Sequence, residues 1–186
     1  MKVNLLCGKE TINVQLPDSA QLIENKPARA LADPAATVRQ SLRLPIGTAP
    51  LAEIARGRKN ACIVISDITR PVPNKIILPP LLNTLEQSGI AAKDITILIA
   101  TGMHRPNLGP ELESMVGKHI VDTYRIVNHY CRKAEEYRKV ATIDGAPIEL
   151  NTHYLDADLK ILTGLIEPHF YAGFSGSRKS ILPGIA

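Results

Sequence analysis

Residues 164–186 crowd a histidine, His169, a glycine–serine turn over 173–177 and a lysine, Lys179, into one short stretch. A lysine in such a turn sits among backbone N–H groups and few bulky side chains. That setting suits an anionic group or a covalently held cofactor. Two other loops carry residues that could converge on it: Asp67, Thr69 and Arg70 in one, His104 and Arg105 in the other. Arg70 precedes Pro71, whose ring confines it to extended backbone. A guanidinium held that way offers a planar fork to a carboxylate. Asp67 has a plainer reading, as the anchor of its own proline-rich turn.

His104 lies between Gly102 and Pro106, which fix the backbone and leave room for a ligand. Without that context a loop histidine reads as a solvated side chain. His169 follows Pro168 and precedes Phe170 and Tyr171, rings that either belong to a core or wall a flat ligand. His119, His129 and His153 have no such setting and read as structural or exposed. Two motif matches fail on single residues. Residues 173–180 resemble a phosphate-binding loop, but Arg178 stands where the glycine before Lys-Ser is required. The same residues resemble a nucleophile elbow around Ser175, but Ser177 replaces its last glycine. What survives is a glycine-rich cradle with a reactive lysine.

The elements that position these residues follow from hydrophobic rhythm. Residues 3–7 and 11–16 are apolar or β-branched around the turn Gly8-Lys9-Glu10, which predicts an amino-terminal β-hairpin. Residues 18–57 turn polar and helical, with Asp33 and Pro34 as N-cap and first helical residue and Gly57 as a stop. The rhythm changes at Ala61. Residues 61–65 are a short continuous apolar run, the mark of a strand covered on both faces, and 95–100 read as a second buried strand. Residues 124–127 and 159–162 read as further strands, 148–150 as a weaker one, and 74–88 and 110–116 as helices closed by Gly89 and Gly117.

Alternation of this kind predicts an α/β fold: an open, mostly parallel, Rossmann-like sheet with flanking helices. Residues 1–57 read as a leading hairpin and helices, and 58–186 as the α/β core. In open α/β sheets ligands bind outside the carboxyl ends of the strands. Asp67–Arg70, His104–Arg105 and Glu167–Lys179 each follow such an end, so topology alone is expected to gather them.

Composition narrows the classes. With 45% hydrophobic and 22% charged residues the chain can build a core and is not globally disordered. The net charge of +4 is scattered, apart from a loose cluster at 132–139 that also holds Glu135 and Glu136. With 4% aromatic residues and no recognisable module, nucleic-acid binding is not expected. Cys7, Cys62 and Cys131 form no Cys-x-x-Cys pair, which argues against a disulfide framework or zinc site; Cys62 reads as a small core residue. No signal peptide or membrane-length apolar run is visible, and a cytoplasmic location is expected.

Three segments together resemble a known family: Ser66-Asp67-Ile68-Thr69-Arg70-Pro71-Val72-Pro73, Thr101-Gly102-Met103-His104-Arg105-Pro106, and the run from Glu167 through Lys179 to Gly184. They resemble the amino-terminal domain of nickel-dependent lactate racemase and its 2-hydroxyacid racemase and epimerase relatives. The resemblance implies a nickel-pincer pyridinium mononucleotide, made by dedicated biosynthesis enzymes and held on Lys179 through a thioamide. Phe170, Thr69, Gly176 and Ser177 would surround it. It also implies His104 and His169 as paired acid/base groups, Arg70 as the holder of a small 2-hydroxy carboxylate and Asp67 as its support. The histidine that ligates nickel in the family would lie beyond Ala186, as would a second domain. The chain is accordingly expected to be an incomplete part of the enzyme with little activity alone. The alternative is a non-catalytic ligand-binding or structural domain derived from that family.

Overall fold

The computed structural model describes residues 1–8, 10–23 and 28–186. Two compact units are present, Met1–Ala32 and Asp33–Ala186. In the first, β1 (Lys2–Cys7) pairs antiparallel with β2 (Glu10–Gln15), the expected hairpin. Lys9 of its turn and residues 24–27 of the predicted helical stretch lie outside the described residues.

The second unit begins at an N-cap. Asp33 accepts the Ala36 N–H at 2.8 Å and Pro34 opens α1 (Pro34–Arg43); the cap side chain satisfies one of the N–H groups a helix start leaves bare. After α2 (Leu51–Ala55) comes β3 (Ala61–Ser66), then α3 (Asn74–Gln87), β4 (Ile95–Ala100), α4 (Gly109–Val116), α5 (Lys118–Thr123) and β5 (Arg125–Asn128). The sheet begins at Ala61, where the rhythm changes, and Leu42, Leu51 and Ile54 ahead of it pack into the same core as α3.

β6 (Tyr137–Ile143) and β7 (Ala146–Asn151) form a separate antiparallel ribbon, followed by α6 (Thr152–Leu155) and β8 (Leu159–Leu162). The weak strand expected at 148–150 thus belongs to this ribbon rather than to the parallel sheet. Its turn, Asp144-Gly145, has φ of 50° and 80°, the left-handed pair that a two-residue hairpin needs. A two-stranded hairpin, β9 (Pro168–His169) with β10 (Gly173–Phe174), and α7 (Arg178–Ile181) complete the chain.

The central sheet has the order β5-β4-β3-β8 and every pair in it is parallel. Alternation along the strands separates two cores. Ile63 and Ile65 of β3 and Ile95, Ile97 and Ile99 of β4 pack with Leu78, Leu81, Leu82 and Leu85 of α3, whose i, i+3, i+4, i+7 spacing makes one stripe. Cys62, Val64 and Leu98 face the other way, against Ala157 and the fully buried Ile185. Each such buried isoleucine is worth roughly 1.5–3 kcal/mol. Segment 182–186 is therefore held against the sheet.

Cys62 sits in that second core, and burial pushes its thiol up to about 12, with Lys160 opposing. Cys7 and Cys131 are exposed and no cysteine is bonded to another. A thiol reagent at neutral pH is expected to label Cys7 and Cys131 in the folded chain and Cys62 only after unfolding. Rapid labelling of Cys62 would contradict this packing.

Candidate active site

Three loops meet past the carboxyl ends of β3, β4 and β8. Asp67 directly follows β3 and is 5% exposed. Its Oδ1 accepts the Thr69 hydroxyl at 2.7 Å and its Oδ2 lies 2.6 Å from His104 Nδ1. A carboxylate only accepts, so His104 carries its proton on Nδ1 and Nε2 is the basic nitrogen. The His104 loop is closed by its own N–H donating to Thr101 carbonyl at 2.9 Å. The Thr101 hydroxyl in turn donates to the His129 carbonyl.

The third loop is tied to the second by Gly102 N–H donating to Gly184 carbonyl at 3.0 Å. Lys179 is fixed at its backbone by two bonds: its N–H donates to Gly176 carbonyl at 2.9 Å and its carbonyl accepts from Gly184 N–H at 3.0 Å. Its ammonium makes no hydrogen bond or ion pair among the described residues. Asp67, Thr69, Arg70, His104, Gly176 and Lys179 line one cavity of about 430 Å³, a size that accommodates a small ligand.

Not every predicted residue joins them. His169 and Phe170 lie on the β9–β10 hairpin, off the lining of that cavity. There His169 Nδ1 accepts the Tyr171 and Ala172 N–H groups, each at 3.2 Å, leaving Nε2 as the nitrogen with a proton to donate. The Phe170 ring stacks on it at 5.4 Å with the planes 3° apart, and is 88% exposed. Ser177 is also off the lining; it precedes α7 with φ at 46° and makes no side-chain cap bond.

Two further residues are spoken for by neighbours. Arg105 forms a two-pronged ion pair with Glu111 at 2.6 and 2.7 Å, and this contact holds the Glu111 carboxyl down at about 2. Arg70 is the arginine on the cavity lining, placed to meet a carboxylate. Ser175 is 1% exposed and donates to Leu165 carbonyl at 2.6 Å; the nucleophile-elbow reading has no free hydroxyl to work with. His129, expected to be structural, is buried, with Nε2 at 3.0 Å from the Tyr137 hydroxyl, and burial lowers its pKa.

Gly176 shapes the Lys179 turn. Its φ is +65° and a Cβ there would lie 2.7 Å from Leu165 carbonyl oxygen. Neither the backbone oxygen nor the dihedral can yield cheaply. Gly176→Ala is expected to cost about 2–4 kcal/mol through overpacking and left-handed strain. Thermal unfolding should then shift down by about 5–15 °C; an unchanged Tm would show that the turn relaxes freely.

A parallel sheet with an Asp–His pair and an unpartnered lysine at its carboxyl edge defines an α/β protein with acid/base equipment. Comparison with known sequences narrows it. The family described as lactate racemase N-terminal domain matches residues 7–186, and the chain belongs to that family. It is 45% identical over 150 residues to lactate racemase of Thermoanaerobacterium thermosaccharolyticum, which covers 80% of this chain and 35% of that protein. Lactate racemase of Lactiplantibacillus plantarum is 41% identical over 194 residues, covering 99% of this chain and 44% of the relative. The solved lactate racemase apoprotein of T. thermosaccharolyticum superposes with a TM-score of 0.84 at 40% identity, over 100% of this chain and 44% of that one. The chain thus spans less than half the length of these relatives.

Proposed function

We propose that this chain is the part of a nickel-dependent 2-hydroxyacid racemase or epimerase that carries the acid/base groups and the cofactor's attachment point. The observation that supports the reading best is one shared cavity holding the Asp67–His104 contact, Arg70 and the free amine of Lys179. Those residues fit a cofactor held by a lysine amide-type bond, because Lys179 has no competing partner and its turn is fixed at both ends of the residue. Among the described residues no group of three or more His, Cys, Asp or Glu could hold a metal ion, so the fit rests on Lys179 and not on a metal site built by this chain's side chains. When bound, the cofactor supplies an acceptor and donor of hydride for the substrate α-carbon.

The chain's own residues do the rest. Arg70 binds the carboxylate and orients the hydroxyl. His104 Nε2 takes the hydroxyl proton while Asp67 stabilises the imidazolium through Nδ1–H. The flat 2-keto acid then turns, and a second imidazole, assigned to His169 and protonated at the start of that turnover, gives its own proton to the oxygen of the other enantiomer, so one ring ends with the proton the other began with. Two bases are useful because the hydroxyl lies on opposite sides in the two enantiomers. Imidazole suits both roles, since its ordinary pKa of about 6.5 lies near working pH. Phe170 contributes an aromatic face beside His169. The reading includes the cytoplasm as the location; no helix among the described residues is long and apolar enough to cross a membrane.

The test uses a protein of the relatives' length, produced together with the cofactor-making enzymes. Each lactate enantiomer, labelled with deuterium at the α-carbon, should be converted into the other with the label retained. Hydride transfer returns the same hydrogen, whereas proton abstraction from carbon would exchange it with water. Label washed out during turnover, or no interconversion of any 2-hydroxy acid, would sink the proposal.

A further inference from the structure

Asn107 is 1% exposed, and each polar group it carries is used. Its backbone N–H donates to Asn128 Oδ1 at 2.8 Å and its carbonyl accepts from Asn128 Nδ2 at 3.0 Å. Its side-chain Oδ1 accepts the Ile68 N–H at 3.2 Å and its Nδ2 donates to Glu111 Oε2 at 2.9 Å. An asparagine amide offers an acceptor and donors on one short stem, and here they point to different segments. The Asn128 bonds pin the loop after β4 to the end of β5. The Ile68 bond pins the loop after β3 to the loop after β4. Ile68 directly follows Asp67, and Asn107 comes shortly after His104 in the same loop.

The other bonds of these loops do not do this. Arg70 N–H to Asp67 carbonyl and His104 N–H to Thr101 carbonyl each stay within one loop. Gly102 N–H reaches the third loop, not the first. Among the described residues, the Asn107–Ile68 bond is the one hydrogen bond joining the first two loops apart from the Asp67–His104 contact itself. A short side-chain contact between two loops holds its geometry only if their backbones are fixed by something else. We infer that Asn107 is a positioning residue: it sets the spacing of the Asp67–His104 pair and thereby keeps the His104 proton on Nδ1. This rests on reading His104 as an acid/base group.

The 15N shifts of the His104 ring, recorded on the full 186-residue chain at a pH where it is neutral, report the tautomer directly. The unmodified chain is expected to show Nδ1–H. In Asn107→Ala the signature should move towards Nε2–H, the tautomer a histidine ring favours when no partner fixes it. Asn107→Asp combined with Glu111→Gln reverses the polarity of that side-chain bond while keeping an acceptor for Ile68 N–H, and should restore the original signature. Asn107→Leu fills the same space but offers no acceptor to Ile68 N–H, so it should not restore the signature, whereas a role in packing alone predicts that it would. Where Asn107→Ala does not fold, Asn128→Ala loosens the same clamp from its far side and should move the signals part of the way.

On the unmodified chain, the Ile68 amide should exchange at least about tenfold more slowly than an open loop amide, although its residue is 41% exposed. Fast exchange there, or unchanged ring signals in both single variants, overturns the inference. Asp67→Ala, which leaves His104 Nδ1 no acceptor at that position, separates the two readings. If it leaves the His104 signature intact, the pair itself is absent and the acid/base reading falls. If it alters that signature while Asn107→Ala does not, the clamp alone falls.

Discussion

Lys179→Ala is expected to abolish the covalent cofactor adduct completely, leaving a chain of unmodified mass. The effect is all-or-none because the proposed bond is to one amine, and the cavity lining offers no second lysine. Arg70, on the same cavity, carries a guanidinium that stays protonated at any working pH and is no acyl acceptor. Lys179→Arg should therefore also be unmodified, although it keeps the positive charge. Neither change should disturb folding. The Lys179 backbone bonds to Gly176 and Gly184 survive either substitution, and its side chain has no partner to lose, so stability should move by no more than about 0.5 kcal/mol. Intact mass and a thermal melt on the same samples decide the matter. An adduct that persists in Lys179→Ala places the attachment elsewhere, whatever the catalytic rate.

Much of this arrangement is legible in sequence, for reasons that differ by residue. The run at 61–65 is apolar at every position, and that at 95–100 at every position but Thr96, because both faces of β3 and β4 are covered, one by helices and one by Ile185 and its neighbours. Once those strands are recognised, the carboxyl-edge rule puts Asp67 and His104 side by side without further information. The same rule fails for His169. Residues 163–167 separate it from the end of β8, room enough for a hairpin of its own, so following a strand does not bring it onto the cavity lining.

Arg105 reads as a loop cation until Glu111, on the next helix, is seen to capture it. The β6–β7 ribbon did carry a signal, the Asp144-Gly145 pair between β-branched stretches, which predicts a two-residue turn. Asn107 and Asn128 carried none. Their partners are 21 and 39 residues away in sequence, and a lone asparagine in a loop looks the same whether it bonds to water or fastens two loops together.

His104→Ala should reduce kcat/KM for racemisation by about a hundred- to ten-thousandfold in a protein of the relatives' length, equivalent to about 3–5.5 kcal/mol of transition-state stabilisation. Asp67→Asn tests how much of that comes from charge. Asparagine can still accept from His104 Nδ1–H, so the ring keeps its tautomer. The imidazolium formed during turnover loses the adjacent negative charge, and a fall of about ten- to a hundredfold is expected. Thr69→Val removes the hydroxyl that holds the other carboxylate oxygen at 2.7 Å, and the smallest loss follows, because Asp67 remains charged and its other oxygen still faces His104.

The order of these losses carries the argument. Proton transfer needs the imidazole, the charge assists it, and the hydroxyl only steadies the charge. Adduct mass should be normal in all three, since none touches Lys179, which separates lost chemistry from lost loading. Near-normal turnover in a fully loaded His104→Ala protein would remove His104 from the reaction and leave its contact with Asp67 as a structural ion pair.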